Sequence, residues 1–317
     1  MKQLEEKFSK LHIAVIGDIM IDRYFYCEVN RISPEAPVPV AKVVSTKTVL
    51  GGASNVAANL SGLGCTVYIG GVSGDDTNRK LVINMLDKKK INYSGLISSS
   101  TRKTITKARV IGGVQQLLRM DFEEIRDLTN FEIAAMKQWF SLLVRKKLDG
   151  VIISDYAKGV CSQEFCKWVI GTAISYDIPI LVDPKGNNWD KYSGCTYITP
   201  NLKEMCEVLD MKCPNEDDFV IAMARKLKKR YDIKNVVVTR SEKGITVVND
   251  KGAFSNPAVA QEVFDVSGAG DTVAATFLAS VASGMNLKDS VLLANKAAGF
   301  VVEKVGTYPI TIEELEW

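Results

Sequence analysis

Short runs of β-branched and other apolar residues alternate along the chain with longer stretches in which apolar residues recur every three or four positions. The short runs predict buried strands, and they cover residues 12–17, 67–70, 150–154, 178–182, 196–199 and 235–239. The longer stretches predict helices, and they cover residues 52–63, 76–88, 130–147, 162–175, 202–209, 216–230, 269–283 and 287–302. This alternation is typical of an α/β protein with a mainly parallel central sheet flanked by helices.

Two intervals interrupt the alternation. Residues 24–50 and 93–120 are strand-like, contain turn signals such as Gly112-Gly113, and show no long helical pattern. Strands that leave a sheet need cover of their own, so we predict a small second sheet that serves as a lid, a dimer surface, or both. No flexible linker divides the chain, which predicts one domain over residues 1–317, with the lid formed by excursions at about residues 20–50 and 93–120.

The composition excludes several classes of protein. The 317 residues are 46% hydrophobic and 24% charged, as in an ordinary globular protein. Forty basic and thirty-seven acidic residues leave a net charge of only +3, which argues against a nucleic-acid partner. The sequence contains no apolar run long enough to cross a membrane and no signal-peptide pattern, so we expect a cytoplasmic protein. Its seven cysteines include no Cys-x-x-Cys and are expected to be reduced.

The residue inventory also excludes several chemistries. His12 is the only histidine, which removes nucleophile triads based on histidine and multi-histidine metal sites. Gly-Lys does not occur, so the Walker A phosphate loop is absent. Gly268-Ala269-Gly270 is similar to a dinucleotide-binding turn, but Val273 stands where the third glycine should be. A Rossmann oxidoreductase is therefore disfavoured.

The strongest local signal is the string DVSGAGDT at residues 265–272, which is followed by a helical run of small residues. Small residues before a helix leave backbone N–H groups unobstructed, with the positive end of the helix dipole behind them. This pattern predicts an anion-binding site. Asp271 would lie at its mouth, where it could accept the proton of an attacking hydroxyl. The alternative is that Asp271 only caps the helix.

A second glycine element, GGASN at residues 51–55, opens another predicted helix. Its glycines would let a polar ligand approach the backbone, and the Asn55 amide could bind neighbouring hydroxyls. A tight turn into a closely packed helix is the alternative. Asp18 and Asp155 each follow a predicted strand, where open α/β sheets bind their ligands. Either aspartate could instead cap a turn.

These two elements, preceded by Gly17-Asp18, resemble the two signatures of the ribokinase-like (PfkB) carbohydrate kinase family. The resemblance extends over essentially the whole chain. Within that family, four strings resemble the D-glycero-β-D-manno-heptose 7-phosphate kinases of lipopolysaccharide core biosynthesis. They are RISPEAPVPV at residues 31–40, SDYAKGV at 154–160, DPKG at 183–186 and VTRSEKG at 238–244.

The resemblance implies a ribokinase-like fold and a role for each matching residue. Asp271 would be the catalytic base, and the anion hole would be formed by the backbone of Gly268, Ala269 and Gly270. The sugar hydroxyls would be held by Asp18, Gly52, Asn55 and Asp155. The ATP site would be built by Lys185, Asn201, Glu204, Thr239, Gly244 and Asn295, with Glu204 reaching Mg²⁺ indirectly. Ser267 stands where the family more often has threonine, and serine keeps the hydroxyl.

The implied activity is ATP-dependent phosphorylation of the anomeric hydroxyl of D-glycero-D-manno-heptose 7-phosphate, which gives the β-1,7-bisphosphate. The resemblance also implies ATP and Mg²⁺ as cofactors, a monovalent cation as a further candidate, and a homodimer that pairs through the lid. The alternatives are a kinase of the same fold that acts on ribose, fructose, a fructose phosphate or a nucleoside, and a non-catalytic sugar-phosphate sensor. A stand-alone kinase and the kinase part of a longer bifunctional chain both remain open.

A phosphorylated sugar needs a cationic clamp, and residues 101–120 contain five basic residues and no acidic one. In a strand, Lys107 and Arg109 would face the same side and could grip the 7-phosphate. Lys158 and Lys185 are rivals for the same role. The alternative is that these charges lie on a solvated strand face.

Overall fold

The structure is a computed structural model that describes residues 2–212, 214–259 and 262–315. Over these residues the strands are, in chain order, β1 (His12–Gly17), β2 (Ile19–Ile32), β3 (Pro39–Gly52), β4 (Thr66–Gly74), β5 (Asn92–Ser99), β6 (Ile105–Gly112), β7 (Gln115–Phe122), β8 (Gly150–Ser154), β9 (Ile180–Asp183), β10 (Tyr197–Ile198), β11 (Asn235–Thr239), β12 (Ile245–Asn249) and β13 (Gly252–Asn256). The helices are α1 (Lys2–Phe8), α2 (Ala53–Gly62), α3 (Thr77–Lys88), α4 (Asn130–Val144), α5 (Gln163–Ser175), α6 (Leu202–Leu209), α7 (Asp217–Arg230), α8 (Ala269–Ala282) and α9 (Leu287–Val302).

The large sheet has nine strands in the order β13-β12-β11-β10-β9-β8-β1-β4-β5. Every pair from β11 to β5 is parallel, while β12 and β13 form an antiparallel edge. Strands of a parallel sheet are covered on both faces, which explains why β8 is buried along its whole length. The predicted mainly parallel α/β architecture is confirmed.

Helices cover both faces of the large sheet. Along β1, Ile13 and Val15 pack into a core shared with α1, α2, α3, α8 and α9. Ala14 and Ile16 point the other way, into a core shared with α4, α5, α6 and α7. This alternation follows from the two-residue period of a strand. No helix in the described ranges has the length and apolar character needed to span a membrane.

The small sheet has four strands in the order β3-β2-β6-β7. β2 pairs antiparallel with β3 and parallel with β6, and β7 returns antiparallel to β6. The prediction of a second small sheet is confirmed. One boundary differs, because β5 pairs with β4 at the edge of the large sheet, so the second excursion begins at β6.

The sequence patterns did not predict α1 or the hairpin of β12 and β13, which are short elements. Free, buried thiols are found at Cys27, Cys65, Cys161, Cys166 and Cys195. Cys206 is disulfide-bonded, so the predicted reduced state is wrong for that residue. Cys213 lies outside the described residues.

Candidate active site

Two helices that meet at the carboxyl ends of the central strands begin without a side-chain cap. Gly52 precedes α2 with φ of 54°, and Gly268 precedes α8 with φ of 82°. Both angles are in the left-handed region, which favours glycine. A Cβ atom at Gly268 would lie 2.9 Å from the Asn55 amide nitrogen. Glycine therefore permits the close approach of the two helix N-termini.

Asp271 is the third residue of α8 and is buried. Its Oδ2 accepts a hydrogen bond from Asn55 Nδ2 at 2.8 Å, and its Oδ1 accepts one from Tyr156 Oη at 2.8 Å. Gly268 occupies the N-cap position, so the alternative that Asp271 only caps the helix is wrong. Burial raises the pKa of Asp271 to about 6, and the two hydrogen bonds oppose the rise. A carboxylate with such a pKa can accept a proton near neutral pH.

The backbone beside Asp271 forms the turn that was predicted to bind an anion. Asp265 shapes this turn, because its carboxylate accepts the Ser267 N–H at 2.9 Å and the Gly306 N–H at 3.0 Å. Ala269 N–H donates to the Val266 carbonyl at 3.2 Å, so this amide already has a partner. Gly270 faces open space, since a Cβ there would meet no atom within 4 Å. The Gly268 and Gly270 amides are the better candidates for the anion hole.

Asp18 and Asp155, which the resemblance implied for the sugar hydroxyls, have their carboxylate oxygens hydrogen-bonded within the protein. Both Asp18 oxygens accept backbone N–H groups, from Tyr156 at 2.9 Å, Lys158 at 3.0 Å and Val160 at 3.1 Å. Asp155 Oδ1 accepts the Ala157 N–H at 2.6 Å. Its Oδ2 binds Tyr192 Oη and Lys191 Nζ, each at 2.5 Å. Both side chains are buried and organise the loop at residues 155–160, as the turn-capping alternative predicts, and their role in sugar binding stays a prediction.

Asn55 and Gly52 do lie at the cleft. The Asn55 side chain donates to Asp271, while its Oδ1 is buried and has no hydrogen-bond partner among the described residues. A buried amide oxygen without a partner loses hydration energy unless a ligand supplies a donor. A ligand hydroxyl would supply that donor.

Asp22 is a functional candidate that the sequence analysis missed. It lies on β2, is buried, and its Oδ1 binds Arg109 Nη1 at 2.5 Å. Its Oδ2 is also close to the glycine element, because a Cβ at Gly51 would lie 2.4 Å away. The sequence does contain a sign of this role, since Asp22 is an acid in the otherwise apolar run 19–22. An acid in such a run needs a specific partner.

The two predicted clamp residues have different environments. Arg109 is paired with Asp22, and its guanidinium lies 5.2 Å from the centre of the Tyr24 ring. Lys107 Nζ lies 5.6 Å from the centre of the Tyr156 ring and forms no ion pair with a described carboxylate. Burial lowers the pKa of Lys107. Lys107 is therefore the cation that is better placed to receive a new anion.

The rival lysines are already paired. Lys158 Nζ binds Glu123 Oε1 at 2.6 Å, and Lys185 Nζ binds Glu204 Oε1 at 2.8 Å. Lys158 thus joins the loop at residues 155–160 to the segment that leaves the small sheet. Lys185 belongs to the group of residues predicted for the ATP site.

The six residues predicted for ATP form two groups. In the first, Glu204 and Asn201 form a capping box at the start of α6, with bonds of 2.9 and 3.0 Å, and Asn201 bridges to Thr239. In the second, Asn295 Nδ2 donates to Asn256 Oδ1 at 2.6 Å. Gly244 also lies against Asn256, since a Cβ at Gly244 would be 2.1 Å from the Asn256 carbonyl oxygen. Local capping accounts for Asn201 without a nucleotide, so its predicted role stays a prediction.

Asp183, at the end of β9, is another residue that the sequence analysis did not single out. Thr199 Oγ1 donates to its Oδ1 at 3.0 Å. Burial raises the pKa of Asp183 well above its usual value, and the nearby charges of Asp271 and Glu204 raise it further. The carboxylates of Asp271 and Glu204 thus repel a negative charge on Asp183, which favours a cation beside it. Among the described residues, no cluster of three or more potential ligands could hold a metal by itself.

The chain is similar to known proteins over nearly its whole length. Residues 10–314 match the model of the pfkB family of carbohydrate kinases. The D-beta-D-heptose 7-phosphate kinase of Bordetella bronchiseptica is 41% identical over 98% of this chain and 96% of its own length. The bifunctional protein HldE of Methylobacillus flagellatus is 44% identical over 96% of this chain. The chain spans only 62% of the length of that bifunctional relative.

Solved structures share the fold at low sequence identity. The ribokinase of Arabidopsis thaliana, complexed with ribose and ATP, has a TM-score of 0.75 at 18% identity and covers 97% of this chain and 99% of its own. Phosphofructokinase-2 of Escherichia coli, in complex with substrates and products, has a TM-score of 0.79 at 16% identity and covers 96% and 97%. These two structures support the ribokinase-like fold.

Proposed function

The chain belongs to the pfkB family of carbohydrate kinases, and from this premise we propose that it phosphorylates the anomeric hydroxyl of D-glycero-D-manno-heptose 7-phosphate with ATP. The product would be the β-1,7-bisphosphate, a precursor for the heptose of lipopolysaccharide. The substrate is suggested by the 41% identical heptose 7-phosphate kinase, whose whole length this chain nearly covers. The observation that carries the reaction type is the buried Asp271 carboxylate beside the uncapped start of α8.

The reaction needs a base, an anion-binding site and correct positioning. The sugar hydroxyl would bind against Asp271, which takes its proton as the oxygen forms a bond to the γ-phosphorus. The bond from that phosphorus to the β,γ-bridging oxygen breaks, and ADP leaves with the electron pair. The amides of Gly268 and Gly270 would stabilise the charge on the transferred group. Asn55 and Asp22 would orient the sugar.

The nucleotide would bind between the two groups of predicted ATP residues. Lys185 and Glu204, which contact each other, would face the phosphates, while Asn295 and Gly244 lie near the end of β13. Asp183 and Glu204 would hold Mg²⁺ together with the phosphate oxygens, since this ion prefers oxygen ligands and is commonly bound by one or two carboxylates beside phosphates. Bound there, Mg²⁺ would neutralise charge on the phosphates. A monovalent cation is a further candidate, which the potassium dependence of turnover would test.

The small sheet is proposed to serve as a lid and a dimer surface. Lys107 on β6 would receive the 7-phosphate, with Arg109 holding Asp22 in place. Exposed apolar side chains lie on both edge strands of the same sheet, since Val43 and Val44 on β3 and Leu118 and Phe122 on β7 are each more than half exposed. Exposed apolar surface of this kind is typical of a contact surface. We therefore expect a homodimer, which sedimentation of the purified protein would test, and a cytoplasmic location, where ATP is available.

The decisive experiment measures ADP release with heptose 7-phosphate, fructose 6-phosphate and unphosphorylated sugars at equal ATP. We expect heptose 7-phosphate to give the highest kcat/KM. Asp271→Asn should lower turnover by several orders of magnitude while the affinity for ATP is retained. Near-normal turnover of that variant would refute the assignment of the base. A preference for an unphosphorylated sugar would refute the proposed substrate, and no ADP release with any sugar would favour a non-catalytic sensor.

A further inference from the structure

Tyr156 touches the proposed base, although the sequence analysis gave it no role. Its hydroxyl donates to Asp271 Oδ1 at 2.8 Å, while Asn55 donates to the other oxygen. We propose that Tyr156 is a positioning residue, which fixes the orientation of the Asp271 carboxylate and lowers the pH range in which it acts as a base. This inference rests on the proposed kinase reaction. Two donors on opposite oxygens leave the carboxylate little freedom to rotate.

The loop that carries Tyr156 is held by two buried aspartates. Asp18 accepts the N–H groups of Tyr156, Lys158 and Val160. Ala157 has φ of 56°, in the left-handed region that costs energy for a residue with a side chain. Asp155 accepts the Ala157 N–H at 2.6 Å and so supports this conformation. Asp18 and Asp155 thus hold the loop in the conformation that directs Tyr156 towards Asp271.

Charged groups from several elements surround this hydrogen bond. Asp22 on β2 and Asp183 at the end of β9 interact with Asp271 by like-charge repulsion, and Lys107 on β6 attracts it. Lys107 Nζ also lies 5.6 Å from the centre of the Tyr156 ring, which connects the small sheet to the phenol. Burial keeps the pKa of Tyr156 well above its usual value, so the phenol remains a donor near neutral pH.

Tyr156→Phe tests the proposal, because it removes the hydroxyl and keeps the ring under Lys107. A hydrogen bond donated to a carboxylate favours the charged form, so its loss raises the pKa of Asp271. The base must be ionised to accept a proton. The acid limb of the pH profile of kcat/KM should therefore move to higher pH by about one to two units. Because less of the base is then ionised, we expect kcat at pH 7 to fall about two- to tenfold, with little change in KM for ATP.

Tyr308→Phe is the matched control. It removes a phenol-to-carboxylate hydrogen bond of 2.5 Å to Glu314, which lies outside the loop at residues 155–160. It should lower thermal stability about as much as Tyr156→Phe does, but leave the acid limb in place. If both variants shift the limb equally, or if neither does, the proposal is overturned.

Two further measurements keep the proposal testable if Tyr156→Phe does not fold or if the substrate is wrong. Incorporating 3-fluorotyrosine at position 156 makes the phenol a stronger donor, so the acid limb should move to lower pH, and an unchanged limb contradicts the proposal. In the ligand-free protein, the near-ultraviolet absorbance of Tyr156 should change as Asp271 titrates near pH 6 and should not change in Asp271→Asn. Absence of this change overturns the inference. Its presence in a protein that fails to phosphorylate heptose 7-phosphate refutes only the proposed substrate.

Discussion

Replacing Asp271 by asparagine should make the protein more stable at alkaline pH while it removes activity. Burial raises the pKa of Asp271 from 3.8 to about 6, so the folded protein holds a charged carboxylate at a cost. Roughly two pKa units correspond to about 3 kcal/mol of unfolding free energy. The asparagine amide can accept from Asn55 through its oxygen and donate to Tyr156 Oη through its nitrogen. The substitution should therefore relieve the cost without leaving a buried polar atom unpaired.

The sign of the pH dependence follows from the direction of the shift. An acid whose pKa is raised by folding contributes stability that is fully present below its unfolded pKa of 3.8 and is lost as the pH rises through about 6. Wild type should be less stable than Asp271→Asn at pH 8, and the two proteins should converge below pH 4. For a chain of 317 residues, a difference of 3 kcal/mol corresponds to about 4 °C in Tm.

The assay is thermal and urea unfolding of both proteins at pH values between about 4 and 8, beside their rates of ADP release. A variant that is inactive and more stable at pH 8 would support the proposed cost of holding the base. A wild type that is more stable than the variant at pH 8 would refute the reasoning, since the site would then stabilise the charge. A stability difference that does not change with pH would also refute it, because the difference would not arise from ionisation.

Three further predictions concern neighbouring parts of the site. Gly268→Ala should lower the unfolding free energy by more than about 1 kcal/mol, because φ is 82° there and a Cβ would be crowded. Gly270→Ala should lower it less, and urea unfolding of the two variants would measure the difference. Lys107→Ala should raise KM for the sugar phosphate about tenfold or more and leave KM for ATP unchanged. Arg109→Ala should also lower kcat in steady-state kinetics, because Asp22 loses its partner. Asp18→Ala should lower Tm, because three backbone N–H groups lose their acceptor; an unchanged Tm would contradict the structural role.

Much of the fold and part of the site could be predicted from local patterns. Apolar runs and periodic stretches are set by neighbouring residues, so the parallel sheet and most helices were predicted correctly. The position of Asp271 in the first turn of a small-residue helix is also a local feature. Asn55 and Gly52 belong to a second local element, and the structure brings it against the first.

Other roles depend on contacts that no local pattern contains. A strand-end aspartate can bind a ligand or hold a turn, and the sequence does not distinguish the two cases. In the structure Asp18 accepts the N–H of Tyr156, which is 138 positions away and therefore beyond any local pattern. The different environments of Arg109 and Lys107 also depend on tertiary contacts, because the strand register places Asp22 opposite Lys107 while its carboxylate binds Arg109.

By itself the sequence determined the α/β architecture, the small second sheet, the family and the residue proposed as base. Only the tertiary structure decided which side chains surround that base. Tyr156 reaches Asp271 across 115 positions, and Asp22 and Lys107 approach it from two strands of the small sheet. The pKa of a buried carboxylate depends on desolvation and on nearby charges and donors. Those quantities exist only once distant segments have been packed together.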